Sequence, residues 1–159
     1  MQMYTSKATS LNQVPALHKK VVQELGKVNF DNGAGKYNRA TEYLAGYGIT
    51  NICYDKYNRT KEENDKALNH GKCDTSTIAN VLNVLDNEQT MIEVLQLSKK
   101  MLKPNGKVYI SVYEGNKTGI GKQSKKDCYQ QNKRTKDYIP TIKKVFNNTT
   151  IRHNIIVAW

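Results

Sequence analysis

Apolar and polar positions along the chain follow two periods, one helical and one of strand type, which alternate. The segment NQVPALHKKVVQELG carries apolar side chains at helical spacing, with Pro15 in its first turn and Gly26 as its stop signal. Residues 27–31 (KVNFD) are typical of a short strand that runs into a turn of small residues. The succession then repeats, because 36–48 predicts a second helix and 49–55 a second strand.

The second half of the chain continues this alternation. Thr60 and Glu63 form a capping box for a polar helix that ends near Gly71. The apolar segment 75–85 predicts a strand that ends near Asn80, followed by a turn. Next come a predicted helix capped by Asp86 and Gln89, a turn at 103–106 (KPNG) and a strand at 107–113. The chain ends with a predicted basic helix from near Ser124, which Pro140 kinks or splits, and a closing strand at 150–159.

Strands that alternate with helices indicate an α/β fold, in which a mostly parallel sheet carries helices on both faces. A length of 159 residues fits one domain with a substantial core. We divide it into an N-terminal segment and helix (1–26), a ligand-binding core (27–115), and a basic loop, helix and closing strand (116–159). Sheets of this kind bind ligands beyond the carboxyl ends of their strands.

A D-x-G-x-G turn, formed by Asp31, Gly33 and Gly35, follows the first predicted strand. Glycines there let the backbone approach a ligand closely and adopt positive φ angles. Asp55 ends the next strand, 20 residues after Gly35, where a carboxylate can accept hydrogen bonds from both ribose hydroxyls. Asn38 stands where a dinucleotide motif needs a third small residue, so a nucleoside without phosphates fits better. The alternative is that both acids only cap turns.

Four motifs follow one another between residues 27 and 115: NFDNGAG, ICYDKYN, DTSTIANVLNVL and LKPNGKVYISVYEG. In this order they resemble the glycine turn, the ribose-binding acid, the fourth strand, and the LKPGG turn with the fifth strand of class I S-adenosylmethionine-dependent methyltransferases. The sequence of these motifs is most similar to small prokaryotic and phage-type members. The resemblance implies a three-layer Rossmann-like methyltransferase fold that uses S-adenosylmethionine as its cofactor.

The resemblance also implies roles for individual residues. Its cofactor-binding positions correspond to Asp31, Gly33 and Gly35 around the methionine part, Asp55 at the ribose, Tyr57 or Lys56 beside the adenine, and Asn80 beside the reactive methyl group. Tyr113 and Glu114 end the fifth-strand motif and could border the substrate, so that Asn80, Tyr113 and Glu114 form the candidate catalytic set. Each position also has an ordinary alternative as a strand-end, turn or surface residue.

The chain departs from the family in one region. Only 18 residues separate Asp55 from Asp74, which is too few for the usual helix, third strand and further helix. We therefore expect the third strand and one helix to be missing. The far wall of the adenine pocket then needs another source, and Cys73, Asp74 and Thr75 are the candidates to supply it, with Asp74 as a cofactor-binding residue.

A net charge of +11, with a pI near 9.5, favours an anionic partner, and nucleic acid is the first candidate. The alternative is a lysine-rich solvated surface. Basic residues are densest after residue 115, with Tyr113, Tyr129 and Tyr138 interleaved, which suits phosphate contacts combined with base stacking. The candidate nucleic-acid contacts are Lys122, Lys125, Lys126, Lys133 and Arg134.

The glycine-containing segment 115–124 (GNKTGIGKQS) does not satisfy the phosphate-binding P-loop pattern. Gln123 follows the Gly-Lys pair where the pattern needs serine or threonine, and Asn116 stands where it needs the first glycine. The segment is interpreted as a mobile substrate loop or as a plain connection.

The three cysteines and three histidines show no metal-type spacing, so no metal site is expected. No apolar run approaches the length of a membrane span, and no signal-type segment opens the chain. These observations predict a cytoplasmic protein in a reducing compartment, without a membrane partner. They do not predict an oligomeric state.

The leading hypothesis is an S-adenosylmethionine-dependent methyltransferase whose acceptor is a nucleic acid, DNA or RNA, or a nucleotide-like molecule. No Asp-Pro-Pro-Tyr-type motif and no Pro-Cys nucleophile occur, so the acceptor atom stays open. Methyl transfer depends mainly on orientation and charge stabilisation, so the lack of a predicted His-Asp pair is no objection. The alternatives are a non-catalytic nucleic-acid-binding protein that retains the fold, and an enzyme that cleaves S-adenosylmethionine itself.

Overall fold

A computed structural model describes residues 10–159, and the first nine residues, for which the sequence predicts no element, lie outside this range. The strands are β1 (Val28–Asn32), β2 (Thr50–Tyr54), β3 (Cys73–Ala79), β4 (Leu102–Ser111), β5 (Lys122–Lys125), β6 (Cys128–Gln130), β7 (Thr149–Arg152) and β8 (Ile155–Ala158). The α-helices are α1 (Ala16–Val21), α2 (Arg39–Ala45), α3 (Lys61–Leu68), α4 (Glu88–Met101) and α5 (Ile139–Ile142). Short 3-10 helices occupy Val22–Glu24, Leu82–Val84 and Thr135–Tyr138.

Six strands form one sheet in the order β2-β1-β3-β4-β8-β7. The strands β1 to β4 run parallel, while β8 is antiparallel to β4 and β7 is antiparallel to β8. The predicted α/β fold with a mostly parallel sheet is therefore confirmed. Within residues 10–159, β2 is the edge strand with no strand beyond it, and the chain between β2 and β3 supplies only the helix α3.

Helices cover both faces of this sheet. On one face, α4 and α5 pack against β3, β4 and β8 through Leu95, Ile142, Ile110 and Ile156, all fully buried. On the other face, α1 packs Leu17 and Val21 against Tyr109 and Val157. Apolar side chains on both faces of the sheet explain how a chain with a mean hydropathy of −0.72 still forms a core. Within the described residues, no helix is long and apolar enough to cross a lipid bilayer.

Helix starts follow local capping chemistry. The hydroxyl of Thr60 accepts a hydrogen bond from the backbone N–H of Glu63 at 3.1 Å, which confirms Thr60 as the predicted N-cap, and this hydroxyl donates to Oε1 of Glu63 at 3.2 Å. The predicted cap of α4 was one residue off. Asn87 in extended backbone immediately precedes the helix, and its Oδ1 accepts from the backbone N–H of Thr90 at 2.8 Å, a position that Asp86 cannot fill.

The predicted turn at 103–106 is wrong, because these residues lie inside β4. Cys73 pairs with Leu102 and Thr75 pairs with Lys107, so four residues of β4 lie opposite the single residue Asp74 of β3. Gly106 permits this bulge, since a Cβ there would lie 3.0 Å from the carbonyl oxygen of Asp74.

The predicted basic helix near Ser124 is also wrong, because β5 and β6 form an antiparallel hairpin there. Its turn contains Asp127 with φ of 59°, and the segment offers no apolar helical stripe to bury. Pro140 lies in the first turn of the short α5, where its missing N–H costs nothing. The predicted closing strand is divided into β7 and β8 by His153 and Asn154, which both have positive φ, as tight hairpin turns require.

Candidate functional site

A cavity of about 450 Å³ opens at the carboxyl ends of β1, β2 and β3. The segments that follow these three strands line it, together with the start of α1 and one face of α4. Parallel strands bring their carboxyl ends to one edge, so residues far apart in sequence meet here. The sequence-predicted residues that line the cavity are Asp31, Gly33, Gly35, Asp55, Lys56, Tyr57 and Asn80.

The glycine turn after β1 folds back over the end of β2. The backbone N–H groups of Gly33 and Ala34 both donate to the carbonyl of Tyr54, at 2.8 and 3.0 Å. Gly33 has φ of 82°, and a Cβ added to it would lie 2.4 Å from Cγ2 of Val81. Only glycine fits both the conformation and the space, so the backbone of Gly33 itself is part of the cavity lining.

Asp55 joins the glycine turn to the segment after β2. Its Oδ2 accepts a hydrogen bond from the backbone N–H of Gly35 at 2.8 Å. Its Oδ1 accepts from the backbone N–H groups of Tyr57 and Asn58, both at 3.0 Å, and from the Asn58 side chain at 3.2 Å. A carboxylate offers about four lone-pair sites, so Oδ1 is filled while Oδ2 keeps room for one more donor. Asp55 thus caps a turn and still presents an acceptor to the cavity.

Arg59, which the sequence analysis did not select, holds the outer side of the same turn. Its guanidinium donates to the carbonyl oxygens of Gly35 and Tyr37 at 2.8 and 2.9 Å, and to the side chain of Asn38 at 2.9 Å. Asp55 and Arg59 therefore bind the N–H and the C=O of the same glycine residue. A rigid turn results, although it carries two glycines.

Asp31 is buried beneath the cavity in a network of polar side chains. Its Oδ2 accepts from Nε2 of His18 at 3.1 Å and from Nδ2 of Asn51 at 2.8 Å, and its Oδ1 accepts from Oγ1 of Thr77 at 3.1 Å. Burial alone would raise the pKa of Asp31, but the electrostatic interaction and hydrogen bond with the Nε2–H of His18 and the hydrogen bonds from Asn51 and Thr77 lower it below its usual value. Asp31 is consequently an anion at neutral pH.

This network fixes the tautomer of His18. Thr77 gives its only hydroxyl hydrogen to Asp31, so at the 3.2 Å contact between His18 Nε2 and Thr77 Oγ1 the imidazole must donate. Nε2 therefore carries a hydrogen, and Nδ1 is the free position. Nδ1 is buried without a partner in residues 10–159, and His18 lines the cavity. This His–Asp pair was not predicted from the sequence, whose only local signal is a histidine next to the apolar stripe of the first helix.

The helix α4, on the face of the sheet opposite to α1, forms one wall of the cavity. Its lining residues are Thr90, Glu93, Val94 and Leu97. Asn32, which points to the other side of β1 from Asp31, holds this helix in place. Its Nδ2 donates to the carbonyl of Val94 and to the hydroxyl of Ser98, both at 2.9 Å. One wall of the cavity is thus formed by α4, which Asn32 fixes to β1.

Asp74 does not line the cavity, and neither do Cys73 or Thr75, so the prediction that they form its far wall is wrong. They lie at the start of β3, whereas the cavity is at its end, and a strand of this length separates the two edges by about 20 Å. Asp74 instead accepts from the backbone N–H of Val28 at 3.0 Å and pairs with Lys103 at 2.8 Å.

The three candidate catalytic residues do not come together. Asn80 lines the cavity in left-handed backbone (φ of 56°), and its N–H donates to the carbonyl of Ser111 at 2.9 Å. Tyr113 is 62% exposed and does not line the cavity. Glu114 lines a second cleft, where its Oε2 accepts from the backbone N–H of Thr135 at 2.6 Å.

The candidate nucleic-acid residues also fall into separate groups. Lys122 and Lys125 are exposed on β5, and Lys126 lies in the hairpin turn. Lys133 lies over the ring of Tyr138, 5.7 Å from its centroid. Arg134 lines the second cleft with Glu114.

The cavity is acidic although the protein is strongly basic. Asp31, Asp55 and Glu93 line it, and Lys56 is the only lysine or arginine among its lining residues within the described chain. A negative cavity in a protein of net charge +11 favours a positively charged group of a ligand over an anionic one.

The chain has a three-layer, Rossmann-like α/β fold of the kind seen in methyltransferases of known structure. The structure is similar to that of 1,6-didemethyltoxoflavin-N1-methyltransferase from Burkholderia thailandensis, solved with 1,6-didemethyltoxoflavin and S-adenosylhomocysteine. The TM-score is 0.64 at 14% identity, over 89% of this chain and 73% of that one.

Two further solved structures share the fold. Human N-acetylserotonin methyltransferase in complex with SAM gives a TM-score of 0.61 at 12% identity, over 90% of this chain, which spans about half (51%) of that protein. DesVI of Streptomyces venezuelae gives 0.61 at 7% identity, over 90% of both chains. No protein-family model matches the chain, and no curated protein matches its sequence. At these identities the likeness establishes the fold alone.

Proposed function

We propose that this protein is an S-adenosylmethionine-dependent methyltransferase formed by a single methyltransferase-like domain. The observation that carries the proposal is the hydrogen bond from the Gly35 N–H to Asp55 Oδ2, which joins the glycine turn after β1 to the acid after β2 in the lining of an acidic cavity. The two neighbours above that were solved with S-adenosylhomocysteine or SAM support this choice of cofactor.

The lining residues fit the cofactor part by part. The backbone of Gly33 and Gly35 in the cavity lining suits close approach of the methionine part. His18 Nδ1, a buried acceptor, suits the α-amino group, and the remaining acceptor site of Asp55 Oδ2 suits a ribose hydroxyl. Tyr57 and the α4 wall form the two sides available to the adenine.

The bound cofactor would supply an electrophilic methyl group on a positively charged sulfur. The protein then contributes orientation and electrostatics, because methyl transfer needs an in-line approach more than a base. Asp31, Asp55 and Glu93 favour binding of the positive charge, and Asn80 lies at the rim where an acceptor enters. The strained backbone of Asn80 is of a kind that clusters at functional sites.

We further propose that the acceptor is a nucleic acid or a nucleotide-like molecule. The acceptors named for the neighbours, 1,6-didemethyltoxoflavin and N-acetylserotonin, are small molecules, so the support comes from this chain's charge of +11 and its basic segment after β4. Three free cysteines are consistent with a cytoplasmic, reducing location.

Calorimetric titration with S-adenosylhomocysteine tests the cofactor assignment. We expect Asp55→Ala to weaken binding by about tenfold or more. The glycine turn loses the carboxylate that accepts from the Gly35 N–H, and the ligand loses a hydrogen-bond acceptor. Asp74→Ala is the matched control, since Asp74 also accepts from a backbone N–H but lies off the cavity. No binding by the wild type at high micromolar ligand, or equal affinity of wild type and Asp55→Ala, would contradict the proposal. Product analysis without any acceptor would expose cleavage of the cofactor.

A further inference from the structure

The second cleft, of about 410 Å³, lies at the same edge of the sheet as the cofactor cavity. Ile110 of β4 pairs with Ile156 of β8, so the turn before β8 lies next to the carboxyl end of β4. The N–H of Asn80 donates to the carbonyl of Ser111, which ties the cavity rim to the same strand end. A ligand bound in this cleft therefore lies along the edge that leads to Asn80.

The cleft is basic because three cations converge on it. Its lining residues are Glu114, Lys117, Arg134, Thr135, Lys136, Ile151 and Asn154. The side chains of Lys117, Arg134 and Lys136 form no ion pair with any acid in the described part of the chain. Glu114 is the one acid among the lining residues, so three positive charges face one negative charge. Its Oε2 already accepts a hydrogen bond from the backbone N–H of Thr135.

Thr135 adds a buried hydrogen-bonding group to this cleft. The residue is 3% exposed, and its Oγ1 is buried without a hydrogen-bond partner among residues 10–159. A buried hydroxyl without a partner destabilises the free protein, and a ligand oxygen that accepts from it removes that cost. The cations and this hydroxyl together match a tetrahedral oxyanion, which accepts several hydrogen bonds and carries negative charge.

We propose that this cleft binds a phosphate group of the methyl acceptor. That the molecule bearing this phosphate is the methyl acceptor rests on the proposed function. Phosphate binding by the cleft does not depend on it. Arg134 can donate two parallel hydrogen bonds to a phosphate, while Lys117 and Lys136 act as point charges. The exposed lysines of the β5–β6 hairpin contribute only long-range attraction.

The test compares two triple variants of the full chain that each remove three positive charges. The cleft variant is Lys117→Gln with Arg134→Gln and Lys136→Gln, and the hairpin variant is Lys122→Gln with Lys125→Gln and Lys126→Gln. Inorganic phosphate, AMP and a short single-stranded oligodeoxythymidine are titrated while backbone amide shifts are recorded by NMR. We expect the cleft variant to lose about tenfold or more in affinity and the hairpin variant at most about threefold, because screened charges at a distance add little.

Thr135→Val is a charge-neutral variant that general electrostatics would not affect. We expect it to weaken phosphate binding by about fivefold or more, with the largest wild-type amide shifts at Thr135 and Lys136. Oligonucleotide binding much tighter than AMP binding would identify a nucleic-acid phosphate, and similar affinities would identify a free nucleotide. Equal losses in the two triple variants would overturn the proposal, as would unchanged binding by Thr135→Val.

S-adenosylhomocysteine binding, measured on every variant, separates this proposal from the proposed function. We expect it to be unchanged in all three variants, which also shows that they are folded. A wild type that binds phosphate at Thr135 but not S-adenosylhomocysteine would leave the cleft assignment standing and remove the methyltransferase assignment. The reverse pattern would remove only the phosphate site.

Discussion

Replacing His18 with glutamine separates the two functions of this imidazole. A glutamine amide nitrogen reaches about as far as Nε2, so it can still donate to Asp31, but the side chain has no polar atom at the position of Nδ1. The variant therefore keeps the buried Asp31 network and removes only the group that faces the ligand.

The magnitude follows from the lost contact. A hydrogen bond to a charged group is worth about 1.5–3 kcal/mol, which corresponds to about 10- to 150-fold in Kd. We expect His18→Gln to weaken S-adenosylhomocysteine binding by that factor. Binding of 5′-methylthioadenosine, which has the adenosine and the thioether but no amino-acid group, should not change. Calorimetric titration of both ligands gives the two affinities.

The matched control is His18→Asn, whose amide reaches only the position of Nδ1. Asp31 then loses one of its three donors, and we expect the free energy of unfolding to fall by about 1–3 kcal/mol, measured by urea denaturation. Its preference for S-adenosylhomocysteine over 5′-methylthioadenosine should survive in part. If His18→Gln weakened both ligands equally, His18 would act through the fold, and the assignment of Nδ1 to the amino group would be refuted.

Three further outcomes are expected. Gly33→Ala places a Cβ 2.4 Å from Val81 in left-handed backbone, so S-adenosylhomocysteine binding should be lost in titration, and Val81→Ala in the same chain should restore part of it. The pKa of Asp31 in the folded protein lies below the unfolded value of 3.8, so the stabilisation by its carboxylate is complete above pH 3.8 and is lost as the pH falls through the lower folded pKa. Between these two pKa values, the free energy of unfolding of Asp31→Asn should therefore depend less on pH than that of the wild type. Identical acid-unfolding curves would contradict this. Partial burial raises the pKa of Cys53 to about 11, with a further contribution from Asp31, so iodoacetamide should label this thiol slowly at neutral pH. Rapid labelling, detected by mass spectrometry, would contradict this raised pKa.

Features that depend on neighbouring residues were predictable from the sequence. The capping of α3 by Thr60 depends on a bond to the residue three positions on. Gly33 and Gly35 have positive φ angles, which the turn requires and which glycine adopts without strain. The D-x-G-x-G pattern therefore predicts the turn from five consecutive residues. The short interval between Asp55 and Asp74 also predicted correctly that a strand and a helix are missing there, since α3 alone lies between β2 and β3.

Errors arose where a partner strand or a distant surface decides the conformation. The segment 103–106 has the composition of a turn, yet pairing with β3 absorbs it as a bulge. Residues 122–130 contain too few apolar side chains to define a period, so the hairpin there depends on pairing between strands. Asp74 was assigned to the cavity because it belongs to β3, whose carboxyl end lies at the cavity. The assignment failed because Asp74 is near the opposite, amino-terminal end of that strand.

The sequence by itself determined the order of strands and helices from α1 to α4, the glycine turn and the acid that follows β2, because hydrophobic period, capping and glycine conformation act over a few residues. Only the tertiary structure decided that His18 meets Asp31 and that Arg59 holds Gly35, pairs separated by 13 and 24 positions. It also decided that α4 supplies the cavity wall. These contacts depend on which faces pack together, and packing is settled by the whole core rather than by any single segment.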